Sequence, residues 1–169
     1  MTTFELSERL GQALVLNQST VTTAESCTGG GIASAITDTR GSSAWFERGF
    51  ITYSNQAKIE LLSVSAQTLS TYGAVSEAVA VEMAQGARSA AHADFAVSVS
   101  GIAGPDGGSP EKPVGMVCFA IACVSGPVSW TAHFSGNRRQ VREAAVHCGL
   151  EKLLQVLTRQ NGRDSTKAQ

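Results

Sequence analysis

The 169-residue sequence has no excess of either charge, no paired cysteines and no long apolar run, and each absence removes a class of function. Lys and Arg number 13 against 14 Asp and Glu, so no sequence-wide field draws the chain to nucleic acid or to an anionic membrane. A small partner is expected instead. Cys27, Cys118, Cys123 and Cys148 lie far apart with no CxxC spacing, and the first residues show no basic stretch followed by an apolar core. Such usage reads as a reduced, cytoplasmic protein. The longest apolar run, around Val117 to Val124, falls well short of the roughly 20 residues a membrane-spanning helix needs. His92, His133 and His147 have no ligand-like spacing to one another or to the cysteines, so no metal and no other cofactor is expected.

What is present is enough for one core. A 43% apolar fraction without internal repeat or linker predicts a single domain over 1–160. The polar residues 161–169 lack periodicity and are expected to fray. Leu6, Leu10, Ala13 and Leu14 recur at helical spacing, and Val21 to Ala24 has strand character. After three glycines, Ile32, Ala33 and Ile36 fit a helix beginning near Thr28, and the strand-like "FITY", Phe50 to Tyr53, completes a β-α-β unit.

Two short helices are expected near Asn55 and Ser65. Ser76 then caps a longer one with Val79, Met83, Ala87 and Ala90 inward and Glu82 and Arg88 outward. "FAVSVS" alternates, "MVCFAIACV" suits a strand covered on both faces, and "VSWTAHF" pairs with it through the "SGP" turn as an edge strand. A last helix from about Asn137 carries Val141, Ala145, Leu150, Leu153 and Leu157. The sum is an α/β chain, a three-layer α/β/α sandwich on a mixed sheet of about five strands.

Three segments carry candidate chemistry. In "ESCTGGG", Glu25 to Gly31, a strand runs into a glycine-rich helix start, where free amides and the helix dipole face the carboxyl edge of the sheet. Ser26 could attack a substrate there, and Cys27 is its rival, since a thiolate at a helix start is activated. The plain alternative is that Ser26 or Thr28 merely caps the helix. The segment is neither a Walker A loop nor GxGxxG.

The second segment, "GIAGPDGGSPEKPVG" from Gly101 to Gly115, holds five glycines and three of the four prolines. An irregular connection longer than roughly 12 residues is functional or disordered, and Gly101 and Gly104 could aim amides over the same sheet edge. In the third, "YSNQAK", Tyr53 ends a strand and Lys58 lies about one turn into the next helix. It is either a solvated surface charge or, if buried beside Ser26, a base with a lowered pKa.

"TVTTAESCTGG", "GSSAWFERGFITYSNQAK", "YGAVSE", "SVSGIAGPDGGSPEKPVG" and "HFSGNRRQVRE" follow one another from Thr20 to Glu143. Together they resemble the CinA C-terminal domain family, and in particular its stand-alone bacterial members that act as nicotinamide-nucleotide amidohydrolases. The resemblance implies an α/β/α domain that hydrolyses the carboxamide of nicotinamide mononucleotide to the carboxylate, releasing ammonia for pyridine-nucleotide recycling. It further implies Ser26 as nucleophile with Tyr53 and Lys58 as activating partners. Larger family members carry an N-terminal domain that has no counterpart in this sequence. The family often reads Gly-Asp-Arg where this chain has Gly136, Asn137 and Arg138, which puts substrate affinity rather than activity in question.

On this reading the oxyanion would be held by amides at Thr28, Gly29 and Gly30 or in the turn from Gly101 to Gly104. The substrate phosphate would sit either at the helix start or on Arg138 and Arg142. Asp106 would lie near the cationic pyridinium ring. The alternative from another class is a non-catalytic nucleotide-binding module that keeps the glycine crevice and regulates a partner. The number of subunits is left open, a homo-oligomer being compatible with either reading.

Overall fold

The helices form where capping side chains precede periodic apolar residues. In the structure, a computed structural model, residues 1–167 are described, with side chains through Arg159. The tail expected over 161–169 lies outside these described side chains. Helix α1 (Thr3–Leu16) opens on a capping box in which Thr2 Oγ1 accepts from Glu5 N and Glu5 accepts from Thr2 N. Strand β1 (Val21–Glu25) leads into α2 (Gly31–Thr37) and β2 (Phe50–Ile51). Helices α3 (Asn55–Leu62), α4 (Ala66–Tyr72) and α5 (Glu77–Ala91) follow, with Ser54, Ser65 and Ser76 as their N-caps. Strands β3 (Phe95–Gly101), β4 (Met116–Ala122) and β5 (Val128–His133) precede α6 (Arg138–Lys167).

The sheet order is β2-β1-β3-β4-β5. β1 runs parallel to β2 and β3, whereas β4 is antiparallel to both β3 and β5, so the sheet is mixed. One connection leaves β1 towards β2 and the next returns past β1 to β3. The carboxyl ends of β1 and β3 therefore lie side by side at the point where strand order reverses, the usual place for a ligand crevice in such sheets.

Alternation within the strands decides the two faces. Val97, Val99, Val117, Phe119 and Ile121 meet Leu6, Ile32, Val141 and Leu153 of α1, α2 and α6. Ala96, Cys118, Ala120 and Ala122 meet Leu62, Leu69, Val79 and Met83 of α3, α4 and α5. The small residues of "FAVSVS" face α5, whose Ala80 carbonyl accepts from Ser98 Oγ at 2.6 Å. The three-layer α/β/α expectation holds.

Several boundaries differ from the sequence expectations. α2 begins at Gly31 rather than Thr28 because Gly29 and Gly30 have φ of 60° and 97°, which no right-handed helix admits. β2 ends at Ile51, leaving Tyr53 in the following turn. Ala90, expected inward, is exposed in the last turn of α5. Glu82, expected to face water, accepts from Ser65 N and Thr68 Oγ1 and so ties α4 to α5.

Candidate active site at the β1 and β3 strand ends

Ser26 is the first residue past β1, and its amide continues the ladder by donating to Val99 O. Its side chain projects towards α3, where Lys58 Nζ donates to Ser26 Oγ at 3.1 Å and to Thr52 O at 2.8 Å. Lys58 is 1% exposed and Ser26 9%. Lys58 sits on the first turn of α3, whose start is held by Ser54 accepting from Ala57 N. Burial holds its pKa below the ordinary lysine value, because water can no longer solvate the charged form. A lysine with a lowered pKa in contact with a hydroxyl is an arrangement that can take up the hydroxyl's proton.

Cys27, the rival nucleophile, is buried, and that burial pushes its thiol up to about 11. A thiol in that state is not a thiolate near neutral pH, so the activation expected of a cysteine at a helix start does not operate here.

The turn after Ser26 is held from two sides. On one, the fully buried Glu25 carboxylate accepts from Thr28 Oγ1 at 2.5 Å, Ile32 N at 2.9 Å and Ala33 N at 2.8 Å. It thereby takes the start of α2, one of the two seats envisaged for phosphate. On the other, Arg142 of α6 donates through Nε to Cys27 O at 3.1 Å and through an Nη to Thr28 O at 2.9 Å. The glycines serve this turn: Gly29 and Gly30 adopt left-handed backbone, and a Cβ on Gly31 would meet Val146 Cγ2 at 2.8 Å. The amides of Gly29 and Gly31 are donated to Ser26 O and Thr28 O. Those of Thr28 and Gly30 have no acceptor among the described residues, whereas the Cys27 amide bonds to its own thiol.

The second glycine segment does come to the same edge. Gly101 ends β3 opposite Val117, and Gly104, at φ 80°, turns the chain back. Arg138 joins this turn to the β2–α3 turn, donating to Gly104 O at 2.8 Å and to Tyr53 Oη at 2.9 Å. Tyr53 is 61% exposed. Its hydroxyl is thus engaged by Arg138, while the Ser26–Lys58 contact is direct. Asp106 is exposed at the tip of the loop. A cleft of about 570 Å³ opens between α2 and α6, lined by Thr28, Gly31, Ser34, Asp38, Arg139 and Arg142.

Two contributors escaped the sequence reading. Glu25 stands three residues before Thr28 at a strand end, a spacing that marks a carboxylate able to take helix-start amides. The Thr52 carbonyl that steadies Lys58 is backbone and leaves no mark in a sequence. Among the described residues no three His, Cys, Asp or Glu side chains group as a metal site, and no helix is long and apolar enough to cross a membrane.

Comparison with known proteins bears on most of the chain. The family model described as the CinA C-terminal domain matches residues 3–157. A Shigella flexneri protein named nicotinamide-nucleotide amidohydrolase PncC is 60% identical over 152 residues, 89% of this chain and 92% of that protein. One of the same name from Pseudomonas putida is 52% identical over 153 residues, 90% and 96% of the two chains. The crystal structure of the competence/damage inducible protein CihA from Agrobacterium tumefaciens superposes with a TM-score of 0.89 at 45% identity, covering 92% of this chain and 95% of that one.

Proposed function

The chain belongs to the CinA C-terminal domain family, and from that premise and the geometry of the Ser26 turn we propose that it is a nicotinamide-nucleotide amidohydrolase. Its substrate is nicotinamide mononucleotide, and its products are nicotinate mononucleotide and ammonia. The observation that carries the reading is the buried 3.1 Å contact between Lys58 Nζ and Ser26 Oγ.

Neutral Lys58 accepts the Ser26 proton as Oγ attacks the carboxamide carbon. The resulting oxyanion is met by the uncommitted amides of the turn, of which that of Thr28 lies nearest in the chain to the nucleophile. Lys58 then returns the proton to the departing nitrogen, ammonia leaves, and an ester to Ser26 remains. Water attacks that ester with Lys58 again as base, which frees the carboxylate and restores the serine. The direct contact supports proton transfer without a relay through Tyr53. Tyr53 instead flanks the crevice, its position steadied by Arg138.

For the phosphate, the start of α2 is already satisfied by Glu25, and Arg142, half-buried, is turned onto the Cys27 and Thr28 carbonyls, whereas Arg138, which also makes two hydrogen bonds, is exposed. Arg138, exposed where the Gly104 and Tyr53 turns meet, is the cation best placed to receive it. Asp106, exposed on the loop beyond Gly104, is the acid available to the pyridinium ring. Incubation of the purified protein with nicotinamide mononucleotide, reading ammonia and the acid product together, tests the reaction. Absence of both would leave the non-catalytic binding module as the better account.

A further inference from the structure

Arg142 takes no part in the chemistry above, yet it spends its guanidinium on two successive backbone carbonyls beside the nucleophile, those of Cys27 and Thr28. A trans peptide unit is planar, with its C=O and N–H pointing in opposite directions. Each carbonyl drawn to α6 therefore turns the next amide away from α6. The second peptide unit shows where such an amide goes: Thr28 O is bound to Arg142, and Gly29 N donates to Ser26 O at 3.0 Å. In the first unit Cys27 O is on Arg142, so planarity turns Thr28 N away from α6, and Thr28 N has no acceptor among the described residues. Lys58 reaches Ser26 Oγ from α3, in the layer across the sheet from α6.

We infer that Arg142 is a positioning residue that orients and polarises the Cys27–Thr28 peptide, so that Thr28 N–H forms the oxyanion hole. The inference rests on the amidase reading. A cation bonded to a carbonyl withdraws electron density from its amide, so the N–H on the other end becomes a stronger donor where negative charge develops. The Glu25 carboxylate fixes the opposite side of the same turn through Thr28 Oγ1, so loss of Arg142 should loosen the peptide without releasing the turn.

The test compares Arg142→Ala and Arg142→Lys with the wild type on nicotinamide mononucleotide and its riboside, with a thermal melt of each protein. Arg142→Ala should lower kcat on the order of 10- to 100-fold, less than the 10²–10³ lost when an oxyanion donor is removed outright. KM should stay near the wild-type value, the fold-loss should be the same on both substrates, and added guanidinium should restore part of the rate. Arg142→Lys should recover part of the loss, and it carries the comparison if the alanine variant melts below the assay temperature. A loss confined to KM for the nucleotide would make Arg142 a phosphate ligand reached from the α2–α6 cleft and overturn the inference. A kcat loss accompanied by a collapsed melt and unmoved by guanidinium would reduce it to a structural brace. No ammonia from the wild type would instead overturn the amidase reading itself, an outcome visible before any variant is made.

Discussion

At the scale of single residues, the reading depends on which of two adjacent side chains attacks and on what the lysine beside it is doing. Ser26 touches Lys58, whereas burial keeps Cys27 a thiol, with its pKa raised to about 11. Ser26→Ala should therefore cost several orders of magnitude in kcat/KM and Cys27→Ala little, as steady-state kinetics on the two variants would show. The opposite ranking would transfer the nucleophile's role to the thiol.

Lys58 makes a second, pH-dependent prediction. Its pKa is lowered in the folded protein, so kcat/KM should rise with pH through an apparent value below the ~10.4 of a free lysine. Lys58→Arg, which stays charged, should be nearly inactive. Between the lowered folded value and ~10.4, the unfolded chain binds the proton that the folded one has lost, so this group makes stability rise with pH through that window. In denaturant melts the wild type should thus gain stability relative to Lys58→Met as the pH rises towards ~10.4. A constant difference would mean Lys58 is charged in the fold.

At the scale of elements, the site is a matter of how closely α3 lies on α5. A Cβ at Gly86 of α5 would come within 1.9 Å of Leu62 O in the last turn of α3, and Lys58 sits one turn earlier on the same helix. Gly86→Ala cannot be accommodated by a rotamer change because the obstacle is backbone. The expected cost is about 3 kcal/mol, or roughly 6–12 °C in Tm for a chain of this size. Displacing α3 also draws Lys58 from Ser26, so activity should fall even well below the new melting temperature. Calorimetry and ammonia release on the same preparation would separate this from simple instability, and an unchanged Tm would mean that α3 and α5 are not held at this spacing.

At the scale of the whole molecule, a nearly neutral chain has no global field with which to collect a phosphorylated substrate. Recognition must come from local donors, and a charge-assisted hydrogen bond is worth roughly 1.5–3 kcal/mol. Nicotinamide riboside should accordingly show kcat/KM lower than the nucleotide by about tenfold or more. With Arg138 as the phosphate partner, Arg138→Ala should erase most of that preference while leaving riboside turnover within a few-fold. Equal losses on both substrates would return Arg138 to the role of a clasp between the Gly104 and Tyr53 turns.

The layered fold was legible in the residues because local rules suffice for it. Alternation in β3 and β5, the unbroken apolar run of β4 and the serine cap of α5 each state a period or a boundary within a few residues. The candidates Ser26 and Lys58 could likewise be named from their segments. What only the tertiary structure decided is which groups meet. Lys58 lies 32 positions from Ser26, and Arg142 lies 115 from Cys27; their encounters depend on a sheet order that reverses at β1 and on helices packed to opposite faces. The glycines illustrate the division: their conformational freedom could be read from composition, but that Gly31 makes room for Val146 depends on α6, more than a hundred residues away. The contrast between Ser26, which meets Lys58, and Cys27, whose thiol is raised by burial, arises the same way, because a chain acquires such surroundings only when distant elements close around it.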